Sequence, residues 1–577
     1  MIKVENLSFG FPAKDLYNNV SFTIEMGQHC ALIGSNGTGK STLVDMIIDT
    51  EKRLFDGKII KDESCRIGYA SQFSARDKNQ ERTVFEFLSE RFFKTQEEIA
   101  LVCEEMATAE DMEAAFAKYQ ALLDLNEAMD GDNYESNIRK QLYIAGMTDL
   151  ESTQVSQISG GEYKLLQIMR EMLLAPNLLI LDEPDVFLDF ENLNRLCQII
   201  NNYKGTLLVI THNRYLLNHC FNKILHLENA ELQEYDGSYT EYRCSILKEK
   251  LKLKLQNVEE QEEIARTQEM VDILRRRATL MVNPVIGSAV NAKQSQLDRL
   301  IARQIKPPFI EVREPEIVLP KTEPQEPKTI LSIKDYQVAF DKELLENVNF
   351  EVKAGEKVAI VGANGTGKTT LISDILKNDN PSIHIDLDTK YACLSQLQGE
   401  NMDEDKTVYE VMLDLGYGNE EKMAAYLDKY CLEADIIHQK IGQLSGGEQN
   451  LLQIALIANS DAEFLILDEP TSHLDIHAQI ALEKAVAEYK GTVLMVSHDF
   501  YLVANSADYV LLVEENTVRR MRTRNFRKMV YTKYFEQKYL EIDKKKQELE
   551  TSITQAFKKN DYVAVDKLCA QLEAISK

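Results

Sequence analysis

Gly34-Ser35-Asn36-Gly37-Thr38-Gly39-Lys40-Ser41 follows the apolar run Cys30-Ala31-Leu32-Ile33, and the arrangement returns as Gly362-Ala363-Asn364-Gly365-Thr366-Gly367-Lys368-Thr369 after Val358-Ala359-Ile360-Val361. A Gly-x-x-x-x-Gly-Lys-Ser/Thr loop between strand and helix lets its glycines adopt turns that aim backbone N–H groups at phosphates. It does so at a helix N-terminus, whose dipole favours anions. Lys40 and Lys368 then contact β- and γ-phosphates, while Ser41 and Thr369 are placed to ligate Mg²⁺.

The loop belongs to a series of motifs that occurs twice in the same order. The two lysines are offset by 328 residues. Ile158-Ser159-Gly160-Gly161-Glu162 recurs as Leu444-Ser445-Gly446-Gly447-Glu448 at an offset of 286. Leu179-Ile180-Leu181-Asp182-Glu183-Pro184 recurs as Leu465-Ile466-Leu467-Asp468-Glu469-Pro470, and Thr211-His212-Asn213 as Ser497-His498-Asp499, again at 286. Two homologous α/β domains therefore stand in tandem, and the first carries 42 extra residues between its phosphate loop and its Ser-Gly-Gly-Glu motif. Those residues predict a helical arm within about 90–140.

Four apolar residues running into Asp182-Glu183 or Asp468-Glu469 set an acidic pair at the carboxyl edge of a parallel sheet. The aspartate there orients the metal shell, and the glutamate is positioned to polarise an attacking water. His212 and His498 follow further strands, where a neutral imidazole reaches a γ-phosphate.

Composition narrows the class. The chain has 577 residues, 44% hydrophobic and 28% charged, and no apolar run approaches the ~20 residues needed to cross a bilayer, which excludes a membrane-spanning protein. The start of the chain lacks a signal-peptide pattern, and the nine cysteines include no C-x-x-C pair, so the sequence predicts a cytoplasmic protein with reduced thiols and neither zinc nor an iron–sulfur cluster. A net charge of −27 argues against nucleic acid held over the whole surface. The charge is unevenly spread, however: residues 266–306 carry +5 and residues 519–577 carry +7.

The predicted organisation is a first domain at 1–244, a linker at 245–328, a second domain at 329–518 and a basic helical extension at 519–577. The linker reads as two helices around an apolar tip at 278–288, followed by a Pro-rich tether at 307–328.

Together the phosphate loop, Gln72 or Gln396, the Ser-Gly-Gly-Glu signature, Asp-Glu-Pro and the switch histidine resemble an ATP-binding-cassette (ABC) ATPase with two P-loop cassettes fused. The resemblance implies ATP sandwiched between cassettes with Mg²⁺. One site would use Lys40, Gln72, Glu183 and His212 with Ser445 and Gly447 of the other cassette; the second would use Lys368, Gln396, Glu469 and His498 with Ser159 and Gly161. Glu183, Glu469, His212 and His498 would be catalytic, and Ser41, Gln72, Asp182, Thr369, Gln396 and Asp468 would hold the metal. Phe11 and Phe340 match the adenine-stacking aromatic. Thr42, Thr370, Gly160, Glu162, Gly446 and Glu448 complete the implied nucleotide set. The first cassette has Asp185-Val186-Phe187-Leu188-Asp189 where the second has Thr471-Ser472-His473-Leu474-Asp475, so the sites are expected to turn over unequally.

The arm, the hairpin linker and the Tyr235-to-Tyr242 exit resemble the ABC-F translation factors. That resemblance implies a monomer acting on the ribosome. Its arm would contact the ribosome near the exit site, and its linker would reach P-site tRNA, large-subunit rRNA and the peptidyl-transferase centre. Arg275, Arg276, Arg277, Leu280, Met281, Val282, Pro284 and Val285 are the expected contacts. A long linker with an apolar tip resembles the antibiotic-resistance members, implying displacement of pleuromutilin, lincosamide or streptogramin A drugs. A housekeeping factor for stalled ribosomes, or the ATPase subunit of a transporter, is the alternative reading.

Overall fold

Each apolar run ahead of a phosphate loop becomes an inner strand of a six-stranded sheet in the computed structural model. The structure describes residues 2–12, 14–62, 65–71, 81–106, 112–186, 188–303 save 281–283, 314–322, 328–339, 343–386, 388–394, 402–534, 537–559 and 561–576. The first sheet has the order Ile67–Ala70, Leu178–Asp182, Thr206–Ile210, His29–Ile33, Lys223–Glu228, Glu231–Asp236. The second repeats it as Tyr391–Leu394, Phe464–Asp468, Thr492–Val496, Lys357–Gly362, Tyr509–Glu514, Thr517–Arg522. All neighbours are parallel except the last pair of each sheet, an antiparallel hairpin.

Strands Leu178–Asp182, Thr206–Ile210, Phe464–Asp468 and Thr492–Val496 are buried along their whole length, as strands covered on both faces must be. The strand order brings three adjacent carboxyl ends together, those leading into the phosphate loop, the Asp-Glu pair and the histidine. A three-stranded antiparallel sheet accompanies each: Lys14–Ile24, Ile2–Phe11 and Asp56–Lys61 in the first cassette, and Glu343–Lys353, Thr329–Ala339 and Ile383–Ile385 in the second. In the first cassette Leu43, Val44, Met46 and Ile47 of helix Lys40–Ile48 join the core shared by both sheets.

The chain forms two compact units, Met1–Asp236 with Arg313–Gln537, and Gly237–Val312 with Lys538–Lys577. Both cassettes lie in the first. This division departs from the boundaries predicted at 244, 328 and 518. The second cassette runs past 518 because Thr517–Arg522 is a sheet strand paired with Tyr509–Glu514 across a turn whose Glu515 and Asn516 both have positive φ. Helix Thr523–Tyr534 then buries Phe526 and Tyr531 against Phe500.

The arm consists of helices Val84–Met106 and Met112–Ala128 packed on each other, followed by Tyr134–Ile144. Its first helix starts ahead of the predicted residue 90, at a reciprocal cap in which Glu86 N–H donates to Thr83 Oγ1 and Thr83 N–H to the Glu86 carboxylate. The second cassette has the same cap at Thr407 and Glu410, but its helix stops at Asp414.

In the second unit, helix Tyr239–Leu280 has 42 residues, about 63 Å at 1.5 Å per residue. It begins at Tyr239 because Ser238 and Glu241 cap it, so part of the predicted domain exit is the first helical turn. Helix Pro284–Arg303 returns alongside. Helices Gln537–Lys558 and Tyr562–Ser576 pack there too: Cys244, Ile553, Val565, Cys569 and Leu572 form a buried cluster. Arg243 pairs with Glu550 at 2.9 Å and Lys248 with Glu573 at 2.6 Å. Among the described residues no helix is long and apolar enough to cross a membrane.

Candidate active site

Glycine freedom shapes the phosphate loops. Gly39 (φ +96) and Gly367 (φ +88) precede their helices in the left-handed region. A Cβ on Gly39 would sit 2.8 Å from the Tyr17 hydroxyl, which itself donates to Gly39 O at 2.5 Å. Gly37 (φ +75) and Gly365 (φ +79) make the preceding turn, and Thr38 and Thr366 Oγ1 close it on Ser35 O and Ala363 O. Lys40 Nζ donates to Gly34 O and Ser35 O, both at 2.9 Å; Lys368 Nζ donates to Gly362 O and Ala363 O at 2.8 and 2.7 Å. Both ammonium groups are therefore curled into their loops and buried, which lowers their pKa.

The acidic pairs sit beside them. Ser41 Oγ lies 3.5 Å from Asp182 Oδ1, a hydroxyl beside a carboxylate, and such hard oxygen donors suit Mg²⁺. Glu183 and Glu469 occupy the left-handed region at φ +46 and +48, each tied by its N–H to the neighbouring strand at Ile210 O or Val496 O. Burial, reinforced by Asp185 and Asp182, pushes Glu183 up to about 7. Burial pushes Glu469 up to about 8. His498 N–H donates to Glu469 Oε2 at 3.2 Å, and burial holds its ring down at about 3. Burial likewise holds His212 neutral, and both its ring nitrogens are buried without a hydrogen-bond partner among the described residues.

Ser159 and Ser445 cap helices Gly160–Leu173 and Gly446–Ala458, each reciprocally with Glu162 or Glu448. The second signature meets the first phosphate loop. A Cβ on Gly447 would lie 2.3 Å from Asn36 Nδ2, which donates to His473 O at 2.8 Å. The second loop is met by Asp189, whose Oδ2 accepts from Asn364 N–H at 2.9 Å while its Oδ1 caps helix Phe190–Asn202. A cleft of about 440 Å³ is lined by Lys368, Thr369, Thr370, Glu469 and His498 of the second cassette and by Glu183 and His212 of the first.

Phe11 ends strand Ile2–Phe11 half-exposed, with the Arg53 guanidinium 5.5 Å from its ring centroid. Gln72, Phe187, Phe340, Gln396, Met281 and Val282 lie outside the described residues. Arg277, Leu280, Pro284 and Val285 are placed only as helical backbone, whereas Arg275 donates to Gln294 at 3.0 Å.

Several residues of the site escape motif reading. Glu228 accepts from Ser35 N–H and Oγ, both at 2.9 Å, and the second loop has Ala363 in place of Ser35. Arg214, just past His212, crosses to Glu483 at 2.7 Å. Lys164 Nζ donates to Glu183 O at 2.8 Å, where the second cassette has Asn450. A comparison of the two repeats, position by position around each motif, picks out Arg214 and Lys164, whose counterparts are Phe500 and Asn450; Glu228 matches Glu514 and does not stand out.

One family model described as ABC transporter matches residues 17–186 and again 345–472, and a companion model of the same description matches 225–318. YdiF of Bacillus subtilis (strain 168) is 31% identical over 97% of this chain and 87% of its own length. The energy-dependent translational throttle protein EttA of Escherichia coli (strain K12) is 27% identical over 87% of this chain and 89% of its own. Archaeal ribosome recycling factor aABCE1, solved with ribosomal stalk protein aP1, aligns over 92% of both chains with TM-score 0.55 at 18% identity, a likeness of fold.

Proposed function

The chain belongs to the ABC transporter family as a tandem-cassette ATPase of the ABC-F type, and from that premise we propose that it uses ATP hydrolysis to act on the ribosome during translation. The observation that carries this reading is the joining of two complete cassettes by a helical hairpin, in a chain similar along 87% of its length to a translational throttle protein.

In the site, Lys40 and Lys368 bind the β- and γ-phosphates together with loop N–H groups, and the opposing Gly447 and Asp189 close on the loops. Ser41 and Asp182, with Thr369 and Asp468 in the second site, would hold Mg²⁺, which supplies charge neutralisation on the phosphate oxygens. Glu183 and Glu469 accept the proton of the attacking water, a task suited to carboxylates tuned near neutral pH. Neutral His212 and His498 offer a hydrogen bond to the γ-phosphate.

The arm is the candidate contact for the ribosome near its exit site. The hairpin is the candidate for P-site tRNA and the peptidyl-transferase centre, reached from a cytoplasmic monomer. The sequence Leu280-Met281-Val282-Asn283-Pro284-Val285 favours a second reading, protection against pleuromutilin, lincosamide or streptogramin A drugs, because an apolar tip is costly in water unless it enters a pocket. The test is ribosome pelleting with Glu183→Gln/Glu469→Gln and ATP. Retention on 70S ribosomes is expected; free cycling, or co-fractionation with membranes, overturns the reading. Drug susceptibility of cells expressing wild type, or a chain with 280–286 replaced by Gly/Ser, separates the two readings.

A further inference from the structure

Each switch histidine is followed at once by a helix cap. Asn213 accepts from Tyr215 and Leu216 N–H at 2.9 and 3.3 Å, and Asp499 from Tyr501 and Leu502 N–H at 2.8 and 3.2 Å. The cassettes meet at these two helices, and there the internal repeat breaks. From the first cassette, Arg214 reaches across to Glu483 at 2.7 Å and Asp499 at 3.4 Å, with its guanidinium 4.7 Å from the Tyr501 ring centroid. All three ionic side chains are largely buried, at 9%, 16% and 14% exposure. At the offset of 286 the mirror positions hold Phe500 for Arg214, Cys197 for Glu483 and Asn213 for Asp499. Phe500 stacks on Phe190 at 5.9 Å. The ionic cluster is thus present on one side of the internal repeat, and its counterpart positions are uncharged.

We infer that Arg214 is a positioning residue that ties the first cassette's switch loop to the second's and, through Asp499, sets His498 at the second ATP site. Asp499 is the residue next to His498, whose N–H holds the Glu469 carboxylate. Removing the guanidinium leaves two carboxylates buried and close together without their cation, so they repel, take in water and pull the cap away. The first site has no reciprocal dependence, because Phe500 offers the first switch loop no charge. Second-site hydrolysis therefore depends on the first cassette being docked, a one-way structural coupling between the sites.

The proposal rests on Glu183 and Glu469 as the residues that activate water. ATP hydrolysis is measured for Arg214→Ala and Arg214→Lys in the full chain, each alone and combined with Glu183→Gln or Glu469→Gln. With Glu183→Gln present, turnover reports the second site, and Arg214→Ala should lower it by about tenfold or more. With Glu469→Gln present, turnover reports the first site, and the loss should stay within about threefold. Arg214→Lys, which keeps the charge, should recover a large part of the second-site rate. Equal losses in both backgrounds, no loss in either, or Arg214→Lys behaving as Arg214→Ala overturns the inference. If Glu183→Gln and Glu469→Gln alone leave wild-type turnover, the water-activating assignment fails first and the inference falls with it.

Discussion

Lys164 donates from Nζ to the backbone carbonyl of Glu183 at 2.8 Å, bracing the strained turn on which that glutamate sits. Asn450 braces the matching turn of the second cassette by donating to Pro470 O and Ser472 O at 3.1 and 2.9 Å. The brace survives but its charge does not. In the first cassette alone a buried acid, Asp185, lies beside Glu183 as well, accepting from Thr211 Oγ1 at 2.6 Å.

That difference sets the pH response of the first site. A base acts when deprotonated, so turnover in a Glu469→Gln background should rise through the Glu183 value of about 7. Asp185 raises that value and Lys164 lowers it. Asp185→Thr should move the rise to lower pH and Lys164→Asn to higher pH, each by about 1 unit. Unmoved midpoints in the pH–rate profile would refute the role of both.

Gly447 and Gly160 are both signature glycines but meet different surroundings. Gly447→Ala drives a methyl into Asn36 Nδ2 (2.3 Å) and His473 O (2.8 Å), so ATPase activity should fall by about tenfold or more with little change in melting temperature. Gly160 has nothing within 4 Å, and Gly160→Ala should stabilise the fold by about 0.5 kcal/mol, read from denaturant titration.

Buried titrating groups make stability depend on pH in opposite senses. His498 falls from 6.5 to about 3 on folding, so the unfolded chain binds the extra proton and stability is lost as pH drops below 6.5. Glu469 rises from 4.5 to about 8, so the folded chain keeps a proton and stability is lost as pH climbs from 4.5 through 8. Above pH 6.5 only the glutamate effect operates of these two. The nucleotide-free protein should therefore melt at lower temperature at pH 8.5 than at pH 6.5, and Glu469→Gln should flatten that fall.

Leu572 is 1% exposed in the cluster with Cys244, Ile553, Val565 and Cys569. Leu572→Ala should cost about 2–4 kcal/mol within that unit, read as faster amide exchange around Cys244, with basal ATP hydrolysis unchanged. Unaltered exchange would show that the cluster does not hold the helices together.

Most of the nucleotide machinery is legible in the residues, because phosphate binding demands glycines, a lysine and an acid at fixed spacing. Lys40, Asp182, Glu183 and His212 all reach one sheet edge, since the order of the strands that carry them is itself dictated by the fold. Arg214 is not legible as a motif: its importance lies in Glu483 and Asp499, remote in sequence, and its repeat partner is a phenylalanine. The arm's start is hidden for a different reason. Thr83 and Glu86 cap it inside the cassette, and only the matching Thr407 and Glu410 reveal where the insertion departs from the common plan. The apolar stripe of the C-terminal helices is visible, but a stripe does not name the surface that covers it.

The covering surface turns out to include Cys244 at the root of the long linker helix, while Cys569 and Leu572 lie within ten residues of the chain's last residue, Lys577. Synthesis is vectorial, so the linker helix emerges long before the segment that buries its root. The cassettes gain their cores in order along the chain, but the hairpin's base waits for partners more than 300 residues further on. Until those residues emerge, the linker helix carries a bare root.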